Sequence, residues 1–122
     1  MTNAVFLYVA NATASADFYA RLFDIKPVEA SPTFAFFVLP SGLPLGLWGK
    51  DGVQPTPAAG GGGCEIGFKV EGYAKIDSTC AEWQSKGVTI AYLPTDLDFG
   101  RSFVALDPDG HRLRVYAVAE ER

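Results

Sequence analysis

The segment "PAAGGGGCEIGFKV", residues 57–70, decides how the chain is divided. Four glycines run straight into an alternating apolar stretch that opens on a carboxylate, Glu65. A phosphate-binding loop sets its glycines between a strand and a helix, so that backbone N–H groups and the helix N-terminus face the anion. Here the glycines precede a strand, and neither GK[ST] nor GxGxxG follows. The residues before them, "KDGVQPTPAA", are rich in Pro, Gly and Ala and have no period, which predicts a connector.

On either side of that connector the elements come in the same order. "VFLYVA" (residues 5–10) alternates as a strand does. "TASADFYARLF" follows, with Thr13 or Ser15 as its candidate N-cap and Phe18, Leu22 and Ile25 on one helical face. Three short extended runs come next, "KPVEA", "TFAFFVLP" and "LPLGLWG", the last two joined by a "PSG" turn. After the glycines "EIGFKV" is a strand, and "AKIDSTCAEWQSKG" a helix with Gly87 just past its end. "VTIAYL", "RSFVAL" and "HRLRVYAV" are strands, with "DPDG" turning between the last two. Each half reads β-α-β-β-β, so the glycines are a hinge between repeats. The expected class is α+β, two βαβββ repeats in one domain over residues 1–122: repeat one at 4–50, linker 51–63, repeat two at 64–118.

A chain of 122 residues is long enough to bury about two-thirds of its unfolded surface. Apolar residues make up 48% and charged residues 20%, as in ordinary soluble domains. A net charge of −4 argues against nucleic acid and anionic membranes as partners. No apolar run approaches about 18 residues, and no basic stretch followed by an apolar one opens the chain, so the expected location is cytoplasmic. Two cysteines are too few for a disulfide framework. Cys80 falls at helical spacing with Ile76 and Trp83 and reads as core, and Cys64 as an exposed thiol.

Strand alternation sorts the residues onto faces. Matching the halves by their turns sets Gly42 on Gly110, Leu45 on Leu113 and Leu47 on Val115, the core face beneath the helices. In the leading strands Val5, Leu7 and Val9 match Ile66, Phe68 and Val70 on that side. The other face carries Ala4, Phe6, Tyr8, Gly46 and Trp48 in the first half. In the second it carries Glu65, Gly67, Lys69, Arg114 and Tyr116. An aromatic, weakly polar surface of this kind suits a flat ligand or a subunit contact.

"DFYARLF" after the first strand, "DFGRSF" and "DPDGHRLRVY" resemble the vicinal oxygen chelate superfamily, which includes glyoxalase, bleomycin resistance proteins and extradiol dioxygenases. Within it the chain looks most like the phenazine antibiotic resistance proteins. Those carry "SEIG" where this chain has "CEIG", and a "DVFGRTF…DPDGH…RV" tail like "DLDFGRSF…DPDGHRLRV". The resemblance implies a curved mixed sheet around a cavity, completed in a homodimer, at times with exchange of halves. It also implies a divalent metal held by His and Glu or Gln from the first and last strands of each half. The matching positions are Ala4, Gly46, Glu65 and Arg114. One of the four can ligate a hard metal and one is cationic, so no metal or other cofactor is expected.

Glu65 and Arg114 are expected to pair across the cavity floor in the metal's place, as a structural bridge or as a ligand contact. Trp48 is the residue expected to stack on a planar guest, or else to pack at a subunit interface. Phe6, Tyr8, Phe37, Gly46, Phe103 and Tyr116 complete the candidate ligand-binding set. Arg101 reads as a tie to a backbone group or carboxylate, His111 as a rim or turn-capping residue, and Asp107 and Asp109 as turn formers. Asp96 and Asp98 read as solvated. No paired carboxylates stand where acid–base chemistry can be argued, and no catalytic residue is assigned. The resulting expectation is a metal-free protein that sequesters a planar aromatic molecule such as a phenazine-type antibiotic. A metal-dependent lyase or dioxygenase, or an accessory protein of a biosynthetic cluster, are its alternatives.

Overall fold

Leu7 and Val9 are 5% and 0% exposed while Phe6 and Tyr8 between and before them are 50% and 41% exposed, which is the signature of a strand covered on one face. In the computed structural model, which describes residues 1–58 and 60–122, this strand is β1 (Val5–Val9). It is followed by α1 (Ala12–Phe23), β2 (Glu29–Ala30), β3 (Phe34–Val38) and β4 (Pro44–Gly49). The second set is β5 (Glu65–Lys69), α2 (Tyr73–Ser85), β6 (Thr89–Leu97), β7 (Gly100–Leu106) and β8 (Arg112–Val118). The chain divides into two compact units, Met1–Gly61 and Gly62–Arg122, parted within the glycine run.

Each unit holds one four-stranded mixed sheet, ordered β1-β4-β3-β2 in the first and β5-β8-β7-β6 in the second. The β1–β4 and β5–β8 pairs are parallel and the remaining pairs antiparallel. A parallel pair requires a crossover, supplied in each unit by the helix and the two strands after it. Phe6 lies opposite Gly46 and Gly67 opposite Arg114, the register that the turn matching predicts. Leu45, Leu47, Leu113 and Val115 are all at most 1% exposed.

The first unit's core is closed by α1, whose Tyr19 and Leu22 are buried and whose Phe18 and Tyr19 rings meet edge-on at 5.0 Å. Its N-cap is Asn11, not Thr13 or Ser15: Asn11 Oδ1 accepts from the Ala14 N–H at 3.0 Å, and Ser15 is buried inside the helix. The helix ends at Asp24, in the left-handed region, so Ile25 lies beyond the face it was expected to join. In the second unit Ile76, Cys80 and Trp83 of α2 face the sheet, with Trp83 edge-on to Phe103 at 5.4 Å. Burial pushes the Cys80 thiol pKa up, assisted by the Asp77 charge, so Cys80 is a core residue; Cys64 is exposed.

Two candidate residues belong to these cores. Phe37 pairs with Leu45 and Phe103 with Val115, and both rings are 0% exposed on the helix side of their sheets. They are not available to a ligand on the opposite face.

Other local differences have equally direct causes. The strand expected at 88–93 continues to Leu97 through register shifts on either side of Tyr92. Pro94, which lacks an N–H, sits in the second irregular stretch of this edge strand. The expected linker opens with a 3-10 turn, Lys50–Gly52, and a buried Val53; its position 59 lies outside the described residues. Gly100, between β6 and β7, allows a close approach: a Cβ there would stand 1.9 Å from the Ala117 carbonyl oxygen. The "DPDG" turn is organised by buried Asp107, whose Oδ1 accepts from the Asp109 and His111 N–H groups at 2.9 and 2.8 Å. No helix among the described residues is long and apolar enough to cross a membrane.

Candidate functional site

With one face of each sheet sealed by its helix, the alternate residues define what the other face can bind. In the first unit that face is aromatic. Trp48 of β4 has Phe6, Tyr8 and Phe34 around it, with ring centroids at 6.3, 6.5 and 6.4 Å and interplanar angles of 63°, 76° and 90°. Phe36 extends the cluster, 6.3 Å from Phe34. Gly46 is the floor of this cluster. A Cβ at Gly46 would lie 2.6 Å from Phe6 Cδ1 and 3.2 Å from Phe34 Cε1, so its missing side chain lets both rings lie against the sheet.

The second unit is built differently on the equivalent face. Arg114 donates to Glu65 through Nε at 2.6 Å to Oε1 and Nη2 at 3.4 Å to Oε2, and its Nη1 donates to buried Ser102 Oγ at 2.9 Å. Arg112, two residues earlier and on the same face, brings Nε within 3.2 Å of Glu65 Oε2. The Arg114 hydrogen bond holds the Glu65 carboxyl below the ordinary carboxylate range; burial opposes this, and the charges of Arg114 and Arg112 add to it. Tyr116 lays its ring over Gly67, where a Cβ would stand 3.3 Å from Tyr116 Cε1, and meets Phe99 edge-on at 6.3 Å. Beside Arg112 and Arg114 a cavity of about 360 Å³ opens, walled by apolar groups including Tyr92, Leu97, Val104 and Leu106.

The structure thus gathers Phe6, Tyr8, Gly46 and Trp48 on one sheet and Glu65, Arg114 and Tyr116 on the other. Phe34, Phe36, Ser102 and Arg112 are additions. Counting back from the "PSG" turn puts Phe34 opposite Trp48 and Phe36 opposite Gly46, so the signal for those two was present in the sequence. Arg101 ties α2 and β6 to β7, with Nη2 at 2.9 Å from Asp77 Oδ1 and Nη1 at 2.8 Å from Asp96 Oδ1. Asp96 is therefore ion-paired as well as exposed. His111 lends its backbone N–H to the Asp107 turn.

The four positions that match the superfamily's metal ligands do not fit a divalent cation. Ala4 and Gly46 offer no donor atom. Both Glu65 oxygens are met by guanidinium nitrogens, and Arg114 would place its own positive charge against the ion. Among the described residues no three His, Cys, Asp or Glu side chains are grouped to hold a metal.

Because the native pKa of Glu65 is depressed, the pair's stabilisation is present above the ordinary carboxylate range and is lost as pH falls through the lowered native value. Glu65→Gln should therefore melt below the wild-type protein at neutral pH, and the gap should close on acidification. Thermal melts from pH 7 to pH 3 read this directly; a gap that stays constant or widens would show that Glu65 is not held as a carboxylate.

A family model described as the glyoxalase/bleomycin resistance protein/dioxygenase superfamily matches residues 2–115. The phenazine antibiotic resistance protein EhpR of Enterobacter agglomerans is 30% identical over 118 residues, covering 93% of this chain and 88% of that protein. The solution structure of protein ATC0852 from Agrobacterium tumefaciens is similar with a TM-score of 0.83 and 47% identity, over 98% of this chain and 99% of that one. The fosfomycin resistance protein FosX of Listeria monocytogenes has a TM-score of 0.76 at 20% identity, over 100% and 97% of the two chains, a likeness of fold. Antibiotic resistance proteins are thus found within this fold family. With its paired βαβββ units and this match over nearly its whole length, the chain belongs to the glyoxalase/bleomycin resistance protein/dioxygenase superfamily.

Proposed function

We propose that this chain is a metal-free binding protein that sequesters a planar, aromatic, hydrophobic small molecule of the phenazine antibiotic type and so confers resistance. Affinity alone lowers the free drug concentration, and no bond in the ligand need be made or broken. The observation that carries this reading is the aromatic face around Trp48. All three of its described ring neighbours meet it at steep angles. The parallel, offset arrangement preferred by a flat guest is left free. The likeness to EhpR supports the class of guest, and the guanidinium-engaged Glu65 supports the absence of a metal step.

The same reading makes the protein a cytoplasmic homodimer whose two halves, 4–50 and 64–118, are hinged at the glycines. Phe6 and Tyr8, half exposed on one sheet face, form the kind of apolar patch that soluble proteins cover with a partner.

For a neutral phenazine, Trp48→Ala should weaken binding by about 2–4 kcal/mol, the range of an aromatic hot spot with its stacking preference. Glu65→Gln should change that affinity much less. Calorimetric isotherms on both variants decide between stacking and charge; normal binding by Trp48→Ala together with lost binding by Glu65→Gln would refute the aromatic account. Sedimentation equilibrium at micromolar protein should return the mass of two 13.1 kDa chains, and a monomer that binds at full affinity would remove the dimer from the proposal.

A further inference from the structure

Arg112 and Arg114 stand side by side on β8 but are employed very differently. Arg114 commits all three guanidinium nitrogens, two to Glu65 and one to Ser102. Arg112 meets the same carboxylate with Nε at 3.2 Å, and that buried N–H is not directed along a hydrogen bond to any described acceptor. Its side chain is 43% exposed, against 19% for Arg114.

Two guanidiniums against one carboxylate leave a surplus positive charge, on a chain whose net charge is −4. That surplus borders the cavity of about 360 Å³, within the size range of small-molecule sites, and no acidic residue lines its wall. A half-exposed guanidinium at the edge of an apolar cavity can exchange water for an anion, and its planar fork matches a carboxylate.

We infer that the cavity of the second unit takes an aromatic acid, with the ligand's carboxylate on Arg112 and its ring against Tyr92, Leu97 and Val104. The inference rests on the proposed binding of planar guests and adds to it a place on the second unit for guests that carry a carboxylate. Arg114, held by Glu65 and Ser102, positions the site, and Arg112, more exposed, is the arm that recognises charge.

The test compares phenazine-1-carboxylate with phenazine-1-carboxamide, two probes of one shape, by calorimetry on the wild-type protein and on Arg112→Gln. The acid should bind wild type at least about tenfold more tightly than the amide, the worth of one charge-assisted hydrogen bond. Arg112→Gln should abolish that preference, with most of the loss falling on the acid. Far-UV circular dichroism checks that the variant, altered at a half-exposed position, keeps its fold. Equal binding of acid and amide, or a preference that survives Arg112→Gln, overturns the inference but leaves the binding of planar guests intact. Failure of both probes to bind wild type overturns the planar-guest reading and the inference with it.

Discussion

Every second residue of β4 and β8 is locked beneath a helix, and that alternation dictates what the remaining residues can do. Leu45, Leu47, Leu113 and Val115 are essentially inaccessible. Burying side chains of this size stabilises by about 1.5–3 kcal/mol each, so a one-residue slip of both strands would forfeit about 6–12 kcal/mol. That is comparable to the whole stability of a small domain, about 5–15 kcal/mol. The register is therefore not negotiable, and Gly46, Trp48, Arg112, Arg114 and Tyr116 are delivered to the opposite face by necessity. The aromatic cluster in one unit and the guanidinium–carboxylate cluster in the other follow from it.

Glu65 is the point where chemistry departs from what the superfamily resemblance implies. A carboxylate at the start of β5 could serve a metal, but Arg114 reaches it at 2.6 Å and Ser102 anchors the far side of the same guanidinium. Coulomb attraction and hydrogen bonding act together there, and the depressed carboxyl pKa is their consequence. The position keeps a fixed charge pair where an enzyme of this fold would keep an ion. Arg112 shares that carboxylate without forming a hydrogen bond through Nε, so two guanidiniums stand against one carboxylate.

The parts of this arrangement that repeat with period two were legible in the sequence. The duplicated element order and the Leu45–Leu113 equivalence follow from counting outward from the turns, whereas the Glu65–Arg114 contact is what the superfamily resemblance implies. The same counting places Phe37 and Phe103 beneath the helices opposite Leu45 and Val115, and Phe34 and Phe36 on the open face opposite Trp48 and Gly46. What counting could not supply was side-chain reach: the Ser102 bond to Arg114 and the partial engagement of Arg112 depend on rotamers and packing. The irregular course of β6 depends on Pro94 and its neighbours, where the period itself breaks down. The N-cap was misplaced because Asn11, Thr13 and Ser15 are all competent caps, and only the helix's buried face decides among them.

The central claim is that the protein holds its guest through ring contacts and fixed charge, with no metal in the binding event. Quenching of tryptophan fluorescence by a phenazine, titrated first on chelator-treated protein and then after addition of Zn²⁺, Ni²⁺ or Fe²⁺, tests it most directly. The account predicts one dissociation constant under all conditions, and no stoichiometric metal binding tighter than about millimolar, roughly −4 kcal/mol. Phenazine binding that vanishes with chelator and returns with one equivalent of metal per chain would contradict it.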